Sequence, residues 1–180
     1  MSTRRSFILF LLVVHGEAYA LGKKVTTEFQ SIGVGPFEFP VSGIFVVTQE
    51  GGATVLTTPD ETRWFRVASF NNIAAHRSAD VVEQLSKVES VLRRSWEQFA
   101  TDEQAKVVEP FSRTDLSSHL ALFSMASEFN VNGETTYYVQ FAVGNGPRIG
   151  SLFAEGYGSA QAAFAELEPL ARKVKVAGGA

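Results

Sequence analysis

Hydrolytic and metal chemistry lean on histidine, and this chain has three of them. His15 lies in an apolar N-terminal segment, His76 in the polar stretch NNIAAHRS, and His119 two residues after Ser117 and four after Asp115. Asp115, Ser117 and His119 are the residue types of a hydrolytic triad. Residues so close on one strand point to opposite faces, or lie side by side without the base-to-nucleophile geometry a triad needs. No Gly-x-Ser-x-Gly elbow accompanies them. A loop histidine is therefore the expectation, and an unrecognised hydrolase is the weakest of three functional readings.

Metal ligands are equally sparse. No His-x-x-x-His or His-Glu-x-x-His pair occurs, cysteine is absent, and the adjacent acids Asp60-Glu61 and Asp102-Glu103 lack the spacing of a calcium loop. Neither a metal nor a cofactor is expected. Gly156-Tyr157-Gly158-Ser159 opens a helix and could offer amides to an anion, but no lysine follows in a phosphate-loop position. A plain strand-to-helix turn is the simpler reading. Gly144-Asn145-Gly146-Pro147 leads into a strand and offers no helix dipole.

Aromatic residues are plentiful, with fifteen Phe in the chain. Trp64-Phe65 and Tyr137-Tyr138 are adjacent pairs, so on a strand one member faces in and the other out. An outward ring marks either a binding face or a surface covered by a helix.

The elements that would position these groups follow from periodicity. Phe37, Phe39 and Val41 alternate with polar residues and proline. GIFVVTQ (43–49), ATVLTT (53–58) and RWFRVASF (63–70) read as strands, separated by turns at Glu50-Gly51-Gly52 and Pro59-Asp60-Glu61. Val81, Leu85, Val88, Leu92, Trp96 and Phe99 then make one apolar helical stripe. Ser78 is its expected N-cap, with Asp80 near the positive end of the dipole and Pro110 as the stop. Strands return over 120–129, 135–143 and 149–154, and Asn132-Gly133 signals a type I′ hairpin. A last helix starts at Ser159 and buries Phe164, Leu167, Leu170, Ala171 and Val174, with Pro169 kinking it or ending it early. The expected fold is α+β: a mainly antiparallel sheet of about six to seven strands packed with two amphipathic helices.

Residues 1–20 follow a different plan. Arg4 and Arg5 precede the apolar run Phe7–Val14, and Ala18-Tyr19-Ala20 offers small residues where a signal peptidase cuts. Eight residues span only about 12 Å as a helix, against about 30 Å for a bilayer core. A cleavable secretory signal is expected, followed by a single domain over 21–180 with no stable membrane insertion. The absence of cysteine removes disulfides and a lipid anchor, and no Asn-x-Ser/Thr site occurs. A bacterial periplasmic or secreted location fits these features. The formal charge is −3, and the basic residues are scattered rather than gathered in the stripe a nucleic-acid binder needs.

Two segments carry a family resemblance. Gly35-Pro36-Phe37-Glu38-Phe39-Pro40 resembles the opening of PsbP-like domains. The segment from Ser151 (SLFAEGYGSAQAAFAELEPLARKVKV) resembles their last strand, glycine turn and terminal helix. Glu155-Gly156-Tyr157-Gly158-Ser159 is similar to the corresponding turn of periplasmic immunity proteins that neutralise type VI secretion lipase effectors. This chain is much shorter than those proteins. The resemblance implies a PsbP-like layered sandwich, and a non-enzymatic periplasmic protein that occludes an effector or toxin partner. A periplasmic carrier of a small apolar ligand is the alternative. Turns on a rigid scaffold carry function, so Asp60, Glu61 and Arg63 in one loop, and Asn145 and Arg148 in another, are the expected partner contacts.

Overall fold

A computed structural model describes residues 25–72, 75, 77 and 80–177. Residues 1–20, expected as a secretory signal, and His76 and Ser78 lie outside the described residues. Among the described residues eleven strands form two antiparallel sheets. The larger has eight: β1 (Val25–Phe29), β4 (Gly43–Glu50), β5 (Ala53–Thr57), β6 (Arg63–Asn71), β7 (Lys106–Ser117), β8 (Leu120–Val131), β9 (Glu134–Asn145) and β10 (Arg148–Tyr157). The smaller joins β2 (Ile32–Val34), β3 (Phe37–Phe39) and β11 (Lys175–Val176). The helices given in full by the described residues are α1 (Val81–Asp102) and α2 (Ala160–Ala171).

Strand order in the large sheet is β1-β4-β5-β6-β10-β9-β8-β7. Hairpins build each half, and α1 carries the chain from β6 to the far edge. Pairing of β6 with β10 then joins the halves, in a register that sets Arg63 against Gly156 and Asn71 against Arg148. The hairpin signal at Asn132-Gly133 is met by positive φ at both residues, 54° and 90°.

One face of the large sheet is covered by α2 and the small sheet. Val139, Phe141, Val143 and Leu152 of the large sheet meet Phe37 and Phe39 of β3 and Leu167 and Ala171 of α2 in one core. Contact is close enough that a Cβ on Gly150 would lie 2.5 Å from Phe37. The other face receives α1. Leu85, Val88 and Leu92 pack on Phe111, Phe123, Met125, Ala142 and Ile149, as their helical spacing predicts. This helix lies on β7, β8 and β9.

The expected α+β domain with a sheet of six to seven strands is overturned: strand residues dominate, and eleven strands in two sheets accompany the two helices. The miss has a physical cause. Strands β1, β2 and β11 are too short to show a period, and β7 breaks its alternation with Pro110 and three register shifts against β8. Proline is tolerated there because β7 is an edge strand, where a lost N–H costs no ladder bond. Pro110 therefore stops no helix; α1 has ended eight residues earlier. Asp80 is the α1 N-cap, its side chain accepting from the Val82 N–H at 3.0 Å. Ser159 caps α2 as expected, and α2 ends two residues after Pro169.

Candidate functional site

The triad types come together only as a hairpin. Ser117 ends β7 and Leu120 opens β8, so His119 sits in the exposed turn between them. Ser117 Oγ accepts the backbone N–H of His119 at 3.3 Å, and Asp115 accepts from Arg113 Nε at 2.7 Å. Arg113 also holds Glu89 of α1 at 3.1 Å, which ties the edge strand to the helix. These contacts describe a turn and a latch. Among the described residues no three His, Asp or Glu side chains gather as metal ligands.

The two expected contact loops stand apart. Asp60 and Glu61 lie in the β5–β6 turn and Arg63 opens β6, whereas Asn145 and Arg148 flank the β9–β10 turn. The β6–β10 register puts these turns at opposite ends of the strands, about 26 Å apart at roughly 3.3 Å per residue. They do not form one patch. The β5–β6 turn is locally organised. Asp60 accepts from the Thr58 hydroxyl at 2.6 Å and from the Thr62 hydroxyl at 2.9 Å, and these bonds lower its pKa. Glu61 takes a positive φ of 56°. Arg63 reaches Glu166 of α2 at 2.8 Å, a contact that raises its pKa.

Beside that turn lies an aromatic and polar surface, on the sheet face that carries α1. Because side chains alternate, the face takes Trp64 and Arg66 from β6, Phe153, Glu155 and Tyr157 from β10, and Tyr138 and Gln140 from β9. Trp64 and Tyr157 meet edge to face with centroids 5.8 Å apart. Tyr138 stacks on Phe129 at 4.4 Å and lies 5.0 Å from both Phe153 and Phe99, the latter from the last turns of α1. Tyr157 is 53% exposed, Trp64 and Phe153 are half-buried, and Tyr138 is buried.

Polar groups thread through these rings. Arg66 pairs with Glu50 at 3.0 Å, while its Nε is buried without a hydrogen-bond partner. Gln140 is buried in mid-sheet with Oε1 unsatisfied, and such a group costs about 1–3 kcal/mol. Burial raises the Glu155 pKa, against the opposing pull of the Arg66 charge and a hydrogen bond from Tyr138. Burial likewise raises that of the Tyr138 phenol. An apolar-cored sheet does not need this set of polar side chains on an inner strand.

No family model matches this chain. No curated protein matches it either. Among solved structures it is similar to a crystal structure from Bacteroides thetaiotaomicron VPI-5482 determined at 1.50 Å resolution, with 14% identity and a TM-score of 0.47. The match covers 78% of this chain and 45% of that one, so the chain spans less than half the length of the protein it matches.

Trp64 and Tyr138 belong to aromatic doublets whose sequence does not say which ring of each faces which layer. Phe65 is buried in the α2-side core and Trp64 takes the other face. Both tyrosines are buried, because the sheet is covered on both sides at β9. Glu155 enters the sequence reading only within a turn motif and Arg66 only within a strand, and neither is among the expected site residues. The available signal was the alternation Ser151, Phe153, Glu155, Tyr157, a charge set between aromatic residues on one strand face.

Proposed function

We propose that this chain is an exported, non-enzymatic binding protein that engages a protein partner through the aromatic surface around Trp64 and Tyr157. One observation carries this reading. Strand β10 presents an exposed tyrosine against a half-buried tryptophan, beside the ordered Asp60–Arg63 turn. Tryptophan, tyrosine and arginine are the residues that concentrate binding energy at protein interfaces. Export rests on the secretory pattern of residues 1–20. The narrower role, neutralising a secreted antibacterial effector by covering it, rests on the C-terminal resemblance from Ser151 onward. The turn at Asn145–Arg148 lies too far away to share this contact.

The apolar-ligand alternative draws no support from a shallow depression of about 220 Å³ near β3. Its walls are Gln30, Ser31, Glu38, Pro40, Lys173 and Lys175, and Ser31 donates to Glu38 at 2.6 Å. Such a lining suits water and ions better than a hydrocarbon.

Affinity capture from a lysate of the source organism tests the proposal, with the full chain and a Trp64→Ala/Tyr157→Ala variant as baits. A stoichiometric partner held by the wild type and lost by the folded variant is expected. Equal capture by both, or no stoichiometric partner at all, overturns it.

A further inference from the structure

Glu155 has an unusual frame for a carboxylate on an inner strand. Its cross-strand neighbours are Trp64 on β6 and Tyr138 on β9. Its neighbours along β10 on the same face are Phe153 and Tyr157. The four rings close into two pairs, Trp64 with Tyr157 at 5.8 Å and Tyr138 with Phe153 at 5.0 Å. An acid is thus flanked by aromatic rings on all four sides. Among the described residues Glu155 takes part in no ion pair, and Arg66, the cation that acts on it, lies 3.0 Å from Glu50.

A second feature gives this place a negative field. Helix α1 ends nearby, with Phe99 on Tyr138, and its last turn carries no basic residue. Its C-cap is another acid, Glu103, whose charge acts on Tyr138. The negative end of the helix dipole therefore meets no basic side chain of its own last turn. Ring faces attract cations through their quadrupole, most strongly when water is partly excluded, and tryptophan does so best. Glu155 is half-buried, so its carboxylate is neither sealed nor fully hydrated.

We propose that Glu155 and its frame of Trp64, Tyr157, Tyr138 and Phe153 form a subsite for a lysine or arginine side chain of the protein partner. This deepens the binding reading above and rests on it. The basic side chain enters past Tyr157, the exposed member of the frame. Its alkyl stem lies along the rings and its charged head meets the carboxylate, as long basic side chains do on aromatic surfaces. Arg66 works against a second cation, but its guanidinium is paired with Glu50 at 3.0 Å, and the Glu155 carboxylate has acceptor positions beyond the one that takes the Tyr138 hydrogen bond.

The probes are acetyl-Gly-Lys-Gly-amide, its neutral counterpart with norleucine in place of lysine, and n-butylammonium chloride, each titrated into the full chain. Binding is read from the NMR shifts of the Trp64 indole and the Tyr157 ring. The lysine peptide should bind saturably, the norleucine peptide should not, and Glu155→Gln should weaken the lysine peptide about tenfold. That substitution keeps the side-chain shape, and circular dichroism checks the fold. Equal affinity for lysine and norleucine peptides in the wild type overturns the subsite without any variant. So does unchanged binding by Glu155→Gln. If only n-butylammonium binds, the site takes free small cations and the partner side chain is excluded. The captured partner separates the two proposals: loss with Trp64→Ala/Tyr157→Ala but not with Glu155→Gln keeps the docking surface and removes the cation subsite.

Discussion

The two faces of the large sheet are built to different ends. On one face α2 and the small sheet press on an apolar layer, in which Phe39, Phe141 and Val139 have no exposed surface. On the other, α1 covers β7, β8 and β9 with an equally apolar contact, and then the chemistry changes. Across β6 and β10 the side chains are Trp64, Arg66, Phe153, Glu155 and Tyr157, and their polar atoms are incompletely paired. Full covering selects for shape and volume. Partial covering permits charges and rings to share a surface, at a cost in stability that an apolar layer would avoid. Proteins retain such costs where they bind.

On that contrast the covered face should dominate stability. Phe141 is fully buried and packs on Phe164 of α2 with ring centroids 5.3 Å apart. Phe141→Ala should lower the unfolding free energy by about 3–5 kcal/mol, read from urea denaturation midpoints. A loss below about 1 kcal/mol would mean that the layer is loosely packed. Gly150 sharpens the same point with a smaller effect. Its backbone is not in the left-handed region, so only space is at issue: an added Cβ meets Phe37 at 2.5 Å. Gly150→Ala should cost about 1–3 kcal/mol by overpacking. The double variant Gly150→Ala/Phe37→Leu should recover part of that loss. Failure of the second change to compensate would place the strain elsewhere.

On the same scale, the ion pair between Arg63 and Glu166 belongs to the surface. Its side chains are 41% and 54% exposed. Arg63→Ala should shift stability by at most about 0.5 kcal/mol, and less at high salt, because exposed pairs exchange one hydration shell for a screened attraction.

How much of this was legible in advance follows the same division. Strong periods survived translation into structure: the stripe from Val81 to Phe99 is the buried side of α1, and Asn132-Gly133 makes the β8–β9 turn. Short or irregular strands did not. Strands β2 and β11 have three and two residues, and they exist because β3 lies between them, a pairing no local window contains. Strand β7 shows no regular alternation in the sequence, since one side of it has no partner strand and its register slips around Pro110. The cap moved from Ser78 to Asp80 because both types can cap, and only the helix start decides. Asp60 lies in the turn its sequence predicts, whereas Arg148, expected in a loop, opens β10, and the separation of the two depends on the β6–β10 register, which joins residues about 80 apart in the chain. Glu155 was invisible for a similar reason: its frame comes from three strands.

The smallest expected effect tests the open face most directly, and it has the opposite sign. Burial raises the Glu155 pKa above its ordinary value of 4.5. Below the unfolded-state pKa the carboxyl is protonated in both states and costs nothing on folding. As pH rises toward the raised folded-state value, the unfolded chain releases the proton first, and stability falls across that window. Above it the loss is complete and constant. Glu155→Gln removes the titration, so the variant should match the wild type near pH 4 and exceed it modestly near neutrality, in urea midpoints measured from pH 4 to 8. Parallel curves would show that Arg66 and Tyr138 already compensate the charge, leaving no unmet field for a partner's cation. A widening gap would show that the folded chain keeps a carboxylate at a site it would be more stable without, which is the behaviour of a residue retained for binding.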